Sequence, residues 1–102
     1  MINIRTLKKL TNNDGLTLKN GKPIHYKSGW QVATHGEETT DIRQAMILVK
    51  KYEGNCGIWF ADGIYYIDYS FRVDTKAKAL EIGRQHSQIS ILGWRKMNLV
   101  YC

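Results

Sequence analysis

The alternation of apolar and polar residues is clearest between positions 58 and 73. Two alternating runs flank Asp62-Gly63, a dipeptide that favours the positive φ angles of a two-residue hairpin turn. The turn fixes a register that pairs Phe60 with Tyr65, Trp59 with Tyr66 and Ile58 with Ile67. The second strand then has an apolar face (Tyr65, Ile67, Tyr69, Phe71, Val73) and an opposite face of Tyr66, Asp68, Ser70 and Arg72.

Helical periodicity appears twice. Apolar residues follow the cap candidates Thr39-Thr40-Asp41 at helical spacing (Ile42, Ala45, Met46, Val49, Tyr52), and Gly54-Asn55 should end this helix. Asp74-Thr75 should cap a second helix, which Ser87-Gln88 should end. One face of this helix carries Ala79, Ile82, Gly83 and His86. Gly83 inside a helix costs about 1 kcal/mol relative to alanine, so we expect it to permit close packing of the helix on the sheet. Glu37-Glu38 should precede the first helix and favour its dipole.

Shorter patterns predict the remaining strands. Asn20-Gly21 predicts a hairpin within residues 16–26, and Pro23, which has no N–H, should lie on an edge strand. Residues 30–34 read as a strand. Residues 89–92 and 98–101 read as a last hairpin connected through Trp94-Arg95-Lys96. Residues 1–10 fit either a strand or a short helix.

These elements predict an α+β fold with an antiparallel sheet built of β-hairpins and two amphipathic helices. The element order is ββ-β-α-ββ-α-ββ, in one domain covering residues 1–102. Each helix is followed by a polar break and a hairpin that contains an aromatic residue. Ala45-x-x-Leu48 in the first helix matches Ala79-x-x-Ile82 in the second. We therefore interpret the chain as two duplicated βαββ units that share one core.

The charge is unevenly distributed along the 102 residues. Residues 1–27 have a net charge of +5, residues 28–71 of −3 and residues 72–102 of +4, which gives the total of +6. Such a layout indicates localised fields. The sequence shows no apolar run of the roughly 20 residues that span a bilayer and no signal-peptide pattern. We expect a cytoplasmic protein with no membrane association, and the oligomeric state stays open.

The motifs of common catalytic and metal sites are missing from the sequence. Gly54-Asn55-Cys56-Gly57 lacks the Lys-Ser/Thr of a phosphate-binding loop. The three histidines lie in different elements, and no His/Cys cluster has metal-ligand spacing. The two cysteines form no C-x-x-C, and Cys56 is expected to be a small apolar residue at the start of a strand. We therefore predict no enzyme activity, no cofactor and no metal.

A further pattern lies between residues 66 and 91. It reads Tyr66-Ile67-Asp68-x-Ser70, Val73-x-Thr75, Ala79-x-x-x-Gly83 and Gln88-x-Ser90-Ile91. It resembles small accessory proteins of Gram-positive phages and conjugative elements, although Ser87-Gln88 stands where those proteins have Asn-Gln. The resemblance covers about a quarter of the chain. It implies a mobile-element accessory protein, supplies no catalytic residue, and suggests by association an inhibitor of a host protein.

Two function hypotheses follow. The first is a non-catalytic protein-binding module, supported by the missing catalytic motifs, the small size and the acidic middle segment. The second is a nucleic-acid-binding protein that uses the basic N-terminal hairpin and aromatic residues on a sheet face, with Trp94 as a third stacking group. The candidate binding surface for either function comprises Lys8, Lys19, Lys22, Lys27, Trp59, Tyr66, Asp68 and Arg72.

Overall fold

The computed structural model describes residues 3–52 and 55–102. Within these ranges the helices are α1 (Ile4–Lys8), α2 (Ile42–Lys51) and α3 (Lys76–Gln85). The strands are β1 (Asp14–Lys19), β2 (Lys22–Pro23), β3 (Trp30–Thr39), β4 (Asn55–Ala61), β5 (Ile64–Val73), β6 (Ser90–Gly93) and β7 (Asn98–Tyr101). The predicted α+β class and element order are confirmed, and the N-terminal residues form the short helix α1.

The strands are hydrogen-bonded in the order β2-β1-β4-β5-β3-β6-β7. Helix α2 connects β3 to β4 and helix α3 connects β5 to β6, and in each case one other strand lies between the two connected strands. This is the chain order of a split βαβ arrangement. Each helix is followed by an antiparallel hairpin, as the duplication hypothesis predicts. The superposition of the two βαββ segments stays a prediction.

Both two-residue turns have the backbone that their sequences predict. The φ angles are 53° at Asn20 and 74° at Gly21, and 51° at Asp62 and 78° at Gly63. Positive φ at both central residues is the type I′ geometry, which matches the twist of the adjoining strands. The predicted register of the second hairpin is confirmed for all three residue pairs.

The predicted helix starts are also confirmed. The Asp41 carboxylate accepts a hydrogen bond from the backbone N–H of Arg43, and the Thr75 hydroxyl accepts one from that of Lys78. Gly54, which was predicted to end the first helix, lies outside the described residues, and Asn55 begins β4. Glu37 and Glu38 come shortly before α2 as expected, but neither lies in the first turn of that helix. Strand β3 continues to Thr39 and includes both acids.

The chain divides into two compact units. Unit 1 comprises Met1–Ile24 and Gly36–Tyr69, and unit 2 comprises His25–His35 and Ser70–Cys102. No helix in residues 3–52 or 55–102 is both long and apolar enough to cross a bilayer.

The core of unit 1 lies between its helices and one face of its strands. Leu7 of α1 and Ala45 of α2 are fully buried, and Ile58 and Ile67 are buried opposite each other in the hairpin. The other buried members are Leu18, Leu48, Val49, Tyr52, Cys56 and Tyr65. Since these strand residues alternate with exposed ones, the opposite face of the hairpin is not part of this core.

The core of unit 2 is smaller and centres on Val32, Ala79 and Ile91. A Cβ atom on Gly83 would lie 2.8 Å from Sγ of Cys102 and 3.5 Å from Ile91. The prediction that Gly83 permits close packing of the helix on its strands is therefore confirmed.

Candidate binding site

An aromatic pair on unit 1 stands out among the predicted site residues. Trp59 of β4 and Tyr66 of β5 are directly opposite each other in the hairpin register. Their exposed fractions are 45% and 36%, whereas their strand neighbours Ile58 and Ile67 are buried in the core. The Asp62-Gly63 turn sets this register and so places both rings on one face of the hairpin, and in the structure that face is opposite the core.

Small residues beside the aromatic pair shape this face. Gly15 of β1 is the cross-strand partner of Trp59, and a Cβ atom on Gly15 would lie only 2.8 Å from Cε3 of the Trp59 ring. The indole therefore occupies the space into which a side chain at position 15 would project. The next pairs along the strands are Thr17 with Gly57 and Gly57 with Asp68. We call the surface formed by Gly15, Thr17, Gly57, Trp59, Tyr66 and Asp68 the aromatic face.

Two of the predicted lysines extend the aromatic face. Lys19 and Lys22 are exposed and directly opposite each other across the first hairpin. Lys19 has the same strand parity as Gly15 and Thr17, so its side chain leaves β1 on the same side. Lys19 is four positions after Gly15, which corresponds to roughly 13 Å along a strand. The lysine pair therefore lies at the rim of the face, and the aromatic pair lies at its centre.

Asp68 brings the opposite charge to this face. It is half-buried, with Gly57 as its cross-strand partner, and a Cβ atom on Gly36 would lie 2.8 Å from the Asp68 Cβ. Glycines on two neighbouring strands therefore lie beside the Cβ atom of Asp68. Both signs of charge are present around the aromatic pair, which favours a partner with a mixed rather than a uniformly acidic surface.

The other three predicted residues lie outside the set that defines the aromatic face. Lys8 is exposed on α1, whose Leu7 is buried in the core, and Lys27 is exposed in unit 2. Arg72 has a local structural role in unit 2. Its Nε donates a hydrogen bond of 2.8 Å to the Ser28 carbonyl, its Nη1 pairs with Asp74, and its guanidinium lies over the Tyr26 ring at 5.6 Å.

The suggestion that Trp94 is a third stacking group is wrong. Its side chain is 3% exposed. The indole Nε1–H donates a hydrogen bond of 3.0 Å to Oε1 of Gln31, and the rings of His25 and Tyr26 pack edge-on against it at 5.0 and 5.6 Å. Trp94 is a core residue of unit 2 and is not available to a ligand.

Sequence reasoning missed a polar cluster at the end of α2. Glu37 Oε2 accepts hydrogen bonds from Lys51 Nζ at 2.8 Å and from the Tyr52 hydroxyl at 3.0 Å. Burial is the main cause of the raised pKa of Tyr52, and the Glu37 carboxylate adds to it. The cluster joins β3 to the last turn of α2 and has an evident structural role.

The fold regroups the charges seen along the sequence. Unit 1 contains eight lysines and arginines and seven aspartates and glutamates, a net charge of +1. Unit 2 contains seven basic and two acidic residues, a net charge of +5. The basic N-terminal segment and the acidic middle segment largely offset each other within unit 1. The aromatic face therefore belongs to a nearly neutral unit.

Cys56 has the apolar role that its sequence context predicts. It is 1% exposed in β4, and burial, together with the negative charge of Asp68, raises the pKa of its thiol to about 12. The thiol therefore keeps its proton at neutral pH, and a nucleophile would need the thiolate. In the described ranges, no three His, Cys, Asp or Glu side chains are close enough together to hold a metal ion.

Comparison with known proteins adds no relative. No protein-family model, no curated protein and no solved structure matches this chain.

Proposed function

We propose that this protein is a non-catalytic protein-binding module whose binding site is the aromatic face of unit 1. The exposed, directly paired rings of Trp59 and Tyr66 carry the proposal. Tryptophan and tyrosine dominate the energetics of protein interfaces because each buries a large rigid area at little conformational cost.

The shape of the face supports this role. Gly57 has no side chain that would project beside the rings, so a partner side chain can pack against the indole and against the strand backbone at Gly57. Lys19 and Lys22 lie at the rim and Asp68 lies among the small residues. An aromatic centre with a charged rim is the usual anatomy of a protein–protein interface.

The biological setting proposed for this module comes from the resemblance of residues 66–91. It would make the protein an accessory factor of a phage or conjugative element that acts in the cytoplasm. The partner would then be a protein of the host or of the element, and binding could inhibit that protein. Inhibition without catalysis needs only a surface of this kind.

Nucleic-acid binding is the second candidate, and one observation favours it. Lys19 and Lys22 share a face with two aromatic rings, as in sheet surfaces that combine basic residues with stacking platforms for single strands. Against it, unit 1 has a net charge of only +1, and phosphate neutralisation supplies most of the affinity for nucleic acid. We rank it second for this reason.

Photocrosslinking tests whether the aromatic face binds a protein. The photoreactive residue p-benzoylphenylalanine replaces Tyr66 in one variant and Ile47, exposed on α2 at 60%, in the control. Irradiation in a lysate of a bacterium that carries the gene should give a discrete protein adduct from position 66 only. An excess of unmodified protein should reduce the yield of this adduct, because it competes for the same partner. An excess of the Trp59→Ala variant should not reduce it. Adducts at both positions, or at neither, would contradict the proposal.

Affinity measurements with the captured partner then test the role of each ring. Trp59→Ala or Tyr66→Ala should weaken binding by about 2 kcal/mol or more, roughly 30-fold, since a hot-spot residue is removed. Ile47→Ala should change it by less than about threefold. Titration of the protein into labelled single-stranded and duplex oligonucleotides near physiological salt tests the nucleic-acid candidate. Tight, saturable binding to them that Trp59→Ala abolishes would establish the nucleic-acid candidate instead.

A further inference from the structure

Strand β7 forms an unprotected edge. It is the last strand in the hydrogen-bonded order, and in the part of the chain that the structure describes no strand pairs with its outer side. The other edge strand, β2, has only two residues, Lys22 and Pro23, and short length, lysine and proline all protect an edge. β7 has four residues, none of them charged or proline.

The exposed side chains of β7 are apolar. Leu99 is 55% exposed and Tyr101 is 72% exposed, and both leave the strand on the side opposite Val100, which packs in the core of unit 2. An uncharged edge with two exposed apolar residues is a surface that pairs readily with another strand.

The backbone of β7 shows which groups are available for pairing. The Cys102 N–H donates to the Ile89 carbonyl at 2.9 Å, so it points towards β6. Hydrogen-bonding direction alternates along an antiparallel strand. The N–H and C=O groups of Val100 therefore also point towards β6, and those of Leu99 and Tyr101 point to the open edge.

We propose that β7 pairs with β7 of a second copy of this chain, antiparallel and with a two-fold axis at Val100. In this register Leu99 of one copy lies opposite Tyr101 of the other, and their outward N–H and C=O groups form four intermolecular hydrogen bonds. Val100 lies opposite Val100 of the other copy in a pair without hydrogen bonds.

Self-pairing is favoured over another extended partner because the strand is complementary to itself. The register places both outward-directed residues opposite each other, and each Leu99 then packs on a Tyr101, an aromatic–aliphatic pair of the kind that stabilises antiparallel strands. Residues 98–101 carry no charge, so no like charges meet along the pairing. The copies nevertheless each carry +6, so their repulsion should weaken association at low salt.

Sedimentation analysis between about 10 µM and 1 mM protein tests the association. Four hydrogen bonds and two apolar pairs predict a weak dimer that strengthens as salt screens the net charge. Leu99→Lys should lower the association constant at least tenfold. Ile47→Lys, which makes the same charge change at an equally exposed residue of α2, should lower it far less. A monomer at 1 mM in high salt, or equal effects of the two variants, would overturn the proposal.

Cysteine crosslinking tests the register in a Cys102→Ser background. Opposite residues without hydrogen bonds have Cα atoms about 4.5 Å apart, within the range for a disulfide. Val100→Cys should therefore form a covalent dimer under mild oxidation. Leu99→Cys should not, because the two copies of residue 99 are diagonal neighbours about 7–8 Å apart. A dimer from Leu99→Cys and none from Val100→Cys would overturn the register.

Discussion

The Trp94 indole Nε1–H donates a hydrogen bond of 3.0 Å to Oε1 of Gln31 inside unit 2. The Gln31 amide in turn donates to Ser70 Oγ at 3.2 Å, and all three side chains are buried. A buried indole whose acceptor is removed loses its hydrogen bond and cannot recover one with water. Gln31 therefore offsets the free-energy cost of burying the indole N–H of Trp94.

Replacing Gln31 should destabilise the fold. Gln31→Met keeps the volume and removes both polar groups, which leaves the Trp94 N–H unsatisfied at a cost of about 1–3 kcal/mol. Urea unfolding followed by circular dichroism measures this. Gln44→Met on the exposed surface of α2 is the matched control and should lie within about 0.5 kcal/mol of wild type. Equal stability of the two variants would show that this hydrogen bond contributes nothing.

Gly36 and Gly63 should resist substitution for different reasons. A Cβ atom at Gly36 would lie 2.7 Å from the Ile67 carbonyl oxygen, so the backbones of β3 and β5 would have to move apart. Gly63 has nothing within 4 Å but has a φ of 78°. Gly36→Ala should cost about 1–3 kcal/mol by overpacking, and Gly63→Ala about 1–2 kcal/mol by backbone strain.

Asparagine substitutions separate these two causes, because asparagine tolerates positive φ better than alanine. Gly63→Asn should be more stable than Gly63→Ala in thermal or urea unfolding. Gly36→Asn should be no more stable than Gly36→Ala, since the larger side chain relieves no clash. The opposite ranking at either position would mean that the assigned cause is wrong.

The start of α3 should depend on Thr75. Its hydroxyl accepts a hydrogen bond of 3.2 Å from the backbone N–H of Lys78, which satisfies one of the unpaired donors of the first turn. Thr75→Ala should destabilise the protein by about 1 kcal/mol, and Thr75→Ser, which keeps the acceptor, should not. The midpoints of urea unfolding test this, provided that the variants have the same m value. Identical midpoints for the two variants would contradict the cap role.

Local sequence signals predicted much of this fold because they act over short distances. Asp62-Gly63 fixes its hairpin through backbone angles of two residues, and that alone placed Trp59 opposite Tyr66. The exposure of the two rings depends on which face of the hairpin the helices cover. Trp94 was misplaced because its turn looks solvent-exposed locally, whereas its acceptor Gln31 is 63 residues away. The strand from Trp30 was predicted to end at Thr34 because residues 35–39 are polar, whereas β3 continues to Thr39. Their extended conformation depends on strand pairing that no local pattern encodes.

The candidate site was predictable in part for the same reason. Turn register places Trp59 beside Tyr66 in one hairpin and Lys19 opposite Lys22 in the other, and each of these pairs can be read from the sequence, whereas their common side follows from the pairing of β1 with β4. The role of Gly15 could not be, because it depends on the antiparallel pairing of β1 with β4, some 44 positions later in the chain. The regrouping of charge into units of +1 and +5 likewise needs the tertiary contacts.

The buried Cys56 thiol should make stability fall in alkaline solution. Its folded pKa is about 12, and an unperturbed thiol titrates near 8.5. The folded state then keeps a proton that the unfolded state releases, so this contribution is fully present below about pH 8.5 and is lost as the pH rises towards 12. From pH 8.5 to pH 10 the loss should reach at most about 2 kcal/mol, given 1.4 kcal/mol per pH unit.

A comparison of cysteine variants isolates this effect from the lysines and tyrosines that titrate in the same range. The unfolding free energy of wild type minus that of Cys56→Ala, measured in urea with a reductant present, should shrink steadily between pH 8.5 and pH 10. Cys102 is half-buried, whereas Cys56 is buried in the core of unit 1. In the native protein at pH 8, a thiol-reactive dye should label Cys102 well before Cys56, which should react only on unfolding. A pH-independent difference for Cys56→Ala, or rapid labelling of Cys56 in the native state, would show that the thiol is neither buried nor protonated as its position in β4 requires.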